Sequence, residues 1–193
     1  MEWGFKAYAN RLALEVRAEL GLDVLEPLDP WQLADHLSIP VRGLSSFRTE
    51  APLSRIFAGR EQRTFSGVTV HDGPRRLVVL NDSHAATRQR NSLAHELSHG
   101  LLLHEPAPLF DPSGLLRIHV SEIEEEASYL AGVLLVTEAA ALAAVSSGGD
   151  GAAAAKRYGV SDKLMTWRIN QTGAVKRAGR RSRDGSSRSF LTR

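Results

Sequence analysis

Residues 95–99 read His-Glu-Leu-Ser-His, inside the longer stretch NSLAHELSHGLLLH. On a helix, imidazoles four residues apart lie one turn from each other on a single face. Their Cβ atoms are then roughly 6 Å apart, close enough to share one ion. Glu96, between them, is displaced to the side, where it reaches a water on such an ion rather than the ion itself. Two metal ligands and a general base for hydrolysis are thereby written into five residues. Leu93, Ala94, Leu97 and Leu101 fall together on another face and form a core stripe.

The chain has no cysteine, so disulfides and thiolate metal sites are excluded and ligands must come from His, Asp or Glu. A tetrahedral catalytic zinc takes three protein ligands and leaves one position for water. The extended pattern HExxHxxGxxH is absent, because Leu102 and Glu105 stand where Gly and His are needed, and His104 is one residue out of place. The alternative is a glutamate from a second helix, and VSEIEEEASYLAGVLL offers four. Helical spacing sets Glu126 in the middle of the apolar stripe of Ile123, Tyr129, Leu130 and Val133, with Glu122 near it. Glu124 and Glu125 turn to solvent or the flank. A carboxylate facing a core is costly unless it is paired or metal-bound. Glu126 is therefore the expected third ligand and Glu122 its outer partner. Tyr129, His119 and His84 are candidates for the donor that polarises a substrate carbonyl. Zinc is the default ion, although two imidazoles and a carboxylate also accept Mn2+ or Fe2+.

These residues need elements to hold them. Apolar spacing predicts a helix from Trp3 to Leu20, stopped by Gly21, and a second in LDPWQLADHLSIP, capped by Asp29 and ended by Pro40. FSGVTVHDGPRRLVVLN reads as two strands around a turn. If the strand from Phe65 to Val70 lies at a sheet edge, it can align a substrate backbone by strand addition. Two long helices follow, at about 87–104 and 121–145, then two short ones around Gly159-Val160-Ser161. The fold class is α+β: a small twisted sheet packed against the HELSH helix and a second, Glu-bearing helix, with helical additions at both ends. The expected division is a catalytic domain over 1–146, a helical segment over 152–177 and a basic, disordered tail over 178–193.

Charge is unevenly spread. Residues 1–155 carry 13 Lys/Arg against 20 Asp/Glu, whereas residues 156–193 carry 11 against 2. The segment YGVSDKLMTWRINQTG has the outline of a turn and recognition helix, in which Lys163 and Arg168 could meet phosphates. The competing expectation is that Leu164, Trp167 and Ile169 dock it on the catalytic domain. The tail adds the prospect of nonspecific, salt-sensitive nucleic-acid contact. The N-terminus lacks the unbroken apolar core of a secretory signal, and no stretch is long enough to span a membrane, so a cytoplasmic protein is expected.

RLVVLND, TRQRNSLAHELSHGLLLH and EEEASYLAGVLL, with the helix and Leu-Asp-Pro pattern before them, resemble the ImmA/IrrE family of zinc-dependent metallopeptidases over about residues 5–140. The resemblance implies a zincin-like minimal protease fold. It matches His95, His99 and Glu126 to the family's metal ligands and Glu96 to its catalytic glutamate. It further implies limited proteolysis of a helix-turn-helix transcriptional repressor, often from a neighbouring gene, which relieves repression under stress or in mobile elements. Two departures are visible: Ser98 where the family often has Gly, and Thr137 where it often has Pro. The alternative from another functional class is a non-catalytic, metal-stabilised regulatory or DNA-binding module.

Overall fold

The structure, a computed structural model, describes residues 3–47, 65–105, 121–146 and 150–180. Helix α1 spans Phe5–Glu19, and its buried residues Phe5, Ala9, Ala13 and Val16 form one stripe. Helix α2 spans Pro30–His36. As expected, Asp29 caps it, accepting from Trp31 N–H, and Pro30 occupies its first turn.

Strands β1 (Val41–Gly43), β2 (Gly67–Asp72) and β3 (Arg75–Leu80) form a three-stranded sheet in the order β1-β3-β2. β1 runs parallel to β3 and β2 antiparallel, with Thr69 opposite Val78. β3 is central, which explains its buried Val78, Val79 and Leu80. β2 is an outer strand among the described residues. Gly73, at φ 56, supplies the left-handed residue of the tight β2–β3 turn.

Helices α3 (Ala86–Leu101) and α4 (Ser121–Leu135) pack against each other, and α3 also lies on β2 and β3. The remaining helices are α5 (Glu138–Ser146), α6 (Gly151–Tyr158) and α7 (Asp162–Thr172). Residues 174–180 are again helical. The mixed α+β architecture agrees with the fold class read from the sequence. The helix expected over 121–145 is instead two helices, bent by 55° between α4 and α5. Thr137 is the cause. Its hydroxyl accepts from Ala140 N–H at 3.0 Å and donates to the Val24 carbonyl at 2.8 Å, capping α5 and tying the bend to the loop after α1. At this position Thr breaks the helix by capping, as Pro would by blocking it. Residues 178–180, expected in the basic tail, are helical, and 181–193 lie outside the described residues.

Helix α4 is central, with α1, α3 and α7 packed around it. Two buried arginines hold its end. Arg17 Nη2 donates to the Leu134 carbonyl at 2.9 Å and Arg168 Nε to the Val136 carbonyl at 2.8 Å. Both groups satisfy carbonyls at a helix C-terminus, where positive charge is favoured. Burial lowers the proton affinity of both guanidiniums. Trp167 lies on Gly132 of α4, so a Cβ there would run into its ring. Gly132→Ala is expected to cost about 1–3 kcal/mol through overpacking, seen as a lower denaturation midpoint in urea. An unchanged midpoint would mean that Trp167 moves aside freely. No single helix among the described residues is long and apolar enough to cross a membrane.

Candidate metal centre

The HELSH residues lie in the last two turns of α3. Leu93 and Leu97 are fully buried in the main core with Leu130, Val133 and Leu134 of α4, which fixes the rotation of α3. That rotation turns His95 and His99 towards the first turns of α4. Ser98, fully buried, satisfies its hydroxyl within the helix by donating to the Ala94 carbonyl at 2.7 Å.

Three side chains converge. His95 Nε2 and His99 Nε2 are 3.1 Å apart, and Glu124 lies 3.1 Å from the first through Oε2 and 3.6 Å from the second through Oε1. Among the described residues this is the group of His and carboxylate side chains able to hold a metal ion. Ligands each 2.0–2.1 Å from one tetrahedral ion are about 3.3 Å from one another, so the triangle has the right size. Its side chains are partly exposed, at 21%, 23% and 29% for His95, His99 and Glu124, so solvent has access to a further position.

The structure brings Glu124, rather than the expected Glu126, to the two histidines. Glu126 is outside the triangle, with its Oε2 facing His104 Nε2 at 3.5 Å. The expectation assumed one buried stripe on the second helix, but α4 is central and has several. Ala131 and Leu135 share a cluster with Ala94 of α3, and Glu124 and Ser128 continue that line, spaced four, three and four residues apart. Leu130 and Val133, which follow Glu126 at helical spacing, share the main core with α1 and with Leu93 and Leu97 of α3.

The remaining expected residues are dispersed. Glu96 follows His95 on α3, and Thr69 of β2 donates to its Oε2 at 2.7 Å. Tyr129 is buried between Phe5 and Trp167, with ring centroids at 6.1 and 5.7 Å, a core role rather than a donor at the site. His84 sits before α3 against Asn81, 3.2 Å away. Glu122 is exposed at the start of α4, and His119 lies outside the described residues. Arg168 is fully buried between the rings of Tyr129 and Trp167, its Cζ 5.8 and 5.6 Å from their centroids. It cannot meet phosphate there, whereas Lys163 is exposed. Thr69, Ser128 and His104 were not anticipated at the site. Ser128 Oγ stands 3.3 Å from His95 Nδ1, and its spacing of four from Glu124 was the available signal.

The profile of the IrrE N-terminal-like domain, Peptidase_M78, matches residues 55–170, more than half of the chain. The chain belongs to the Peptidase_M78 family. Membership carries a metallopeptidase-type function, and the donor set of His95, His99 and Glu124 suits a metal cofactor. The Peptidase_M78 match runs into α7, the helix docked through Trp167 and Arg168. No curated protein matches the chain.

Proposed function

We propose that this chain is a zinc-dependent metallo-endopeptidase that makes limited cuts in a helix-turn-helix transcriptional repressor encoded nearby, thereby relieving repression. The observation that carries the reading is the His95–His99–Glu124 triangle, with Glu96 standing between the two histidines on the same helix. A structural site needs three or four ligands but no adjacent base.

His95, His99 and Glu124 would hold the ion, and two imidazoles with one carboxylate suit zinc. A divalent ion there supplies Lewis acidity, which acidifies water and polarises the scissile carbonyl. Glu96 accepts the proton of the attacking water and passes it to the leaving amine nitrogen. Thr69 holds the Glu96 carboxylate through its hydroxyl. β2, an outer strand among the described residues, offers backbone groups to an extended substrate lying alongside the site. Thr69→Val removes one hydrogen bond to the base. It should lower kcat about tenfold, the value of roughly 1.4 kcal/mol, with metal content unchanged in the same preparation. Unaltered kcat would deny Thr69 a part in positioning Glu96.

The deciding assay mixes the zinc-loaded protein with the helix-turn-helix protein encoded beside its gene and follows fragments by mass spectrometry. Cleavage at one or a few bonds, abolished by chelation, is the expected result. An intact partner after prolonged incubation with metal-loaded protein would rule this substrate out.

A further inference from the structure

Helix α3 ends on an unexpected residue. Leu103 adopts φ 55 while its side chain is 80% exposed, a conformation that usually falls to glycine. Its N–H bonds the Gly100 carbonyl at 3.2 Å, and His104 N–H bonds the His99 carbonyl at 3.0 Å. This pair of bonds is a Schellman ending. The strain brings no apolar burial to Leu103, but it folds His104 back beside His99. The ring centroids are 5.1 Å apart and the two Nδ1 atoms 3.0 Å apart. The opposite nitrogen of His104, Nε2, faces Glu126 Oε2 at 3.5 Å, with side-chain exposures of only 10% and 19%.

Two facing Nδ1 atoms form a hydrogen bond only when one carries a proton and the other does not. His99 turns Nε2 into the ligand triangle, so with that nitrogen bound to a metal its proton would sit on Nδ1 and be donated to His104. His104 then carries its own proton on Nε2, aimed at the Glu126 carboxylate. We propose that His104 and Glu126 form an outer relay that fixes the tautomer and ring plane of His99. They are positioning residues for the metal, and Glu126 acts through His104. The proposal deepens the metallopeptidase reading and rests on it. It also accounts for a carboxylate on the apolar stripe of α4: Glu126 is matched by an imidazole rather than by the ion.

The test is zinc affinity of the full chain, measured by competition with a chromogenic chelator, with circular dichroism as the check on folding. His104→Ala should weaken zinc binding about ten- to a hundredfold, the usual effect of removing an outer partner of a ligand. Glu126→Gln should weaken it less. Adding Glu126→Gln to His104→Ala should cost nothing further, because the carboxylate acts only through the imidazole. His104→Gln, whose amide oxygen can accept the His99 proton, should recover part of the loss. Unchanged affinity in His104→Ala and Glu126→Gln, with the wild type binding one zinc, overturns the relay alone. So does a Glu126→Gln loss as large as that of Glu124→Gln, which would make Glu126 a direct ligand. A wild-type chain that binds no zinc removes both the relay and the metal reading beneath it.

Discussion

Glu96→Gln should abolish peptide cleavage while the protein still binds one metal ion. The amide keeps the size of the side chain and can still meet the Thr69 hydroxyl, now 2.7 Å from Glu96 Oε2, but it cannot accept a proton at neutral pH. Loss of a positioned general base costs about a hundred- to ten-thousand-fold in rate. The metal should remain, because Glu96 is not among the converging ligand atoms of His95, His99 and Glu124. Single-turnover cleavage and metal analysis on one sample separate the two effects. Full cleavage by the variant would remove Glu96 from the mechanism, and loss of both metal and cleavage would assign it to the ligand set.

The second large effect distinguishes two glutamates two residues apart. Glu124→Gln should weaken metal binding by about a hundredfold or more. Sharing on the order of 10 kcal/mol of binding among three ligands puts roughly 3 kcal/mol on each. Glu126→Gln should have a smaller effect, since its carboxylate faces His104 at 3.5 Å and not the ligand triangle. Parallel metal titrations of the two variants give the order directly. The reverse order would restore Glu126 as the ligand and place Glu124 outside the centre.

His95, Glu96 and His99 were legible in the sequence because one helix carries all three, and its period alone decides which share a face. The helix α2 start was legible for the same local reason: Asp29 and Pro30 are sufficient to mark it. The choice among four glutamates was not local. It depends on which of the buried faces of α4 meets α3, and the core of Leu93, Leu97, Leu130 and Leu134 decides this from both helices at once. Thr69 reaches Glu96 only through the β2–β3 pairing and the packing of α3 on that sheet, a long-range placement with no signature in its own neighbourhood. The contact of His104 with His99 was not legible for another reason. The left-handed Leu103 that turns the chain back there is a non-glycine residue with no sequence signal for that conformation. Arg168 has the type and setting of a phosphate contact, and only the packing of α7 against α4 reveals a buried helix clamp.

Anomalous diffraction at the zinc edge, from crystals of the zinc-loaded chain, bears most directly on the account. A single peak about 2.0–2.2 Å from His95 Nε2, His99 Nε2 and a Glu124 oxygen is the predicted result. No peak between α3 and α4, or one bonded to Glu126 with Glu124 turned away, would contradict it.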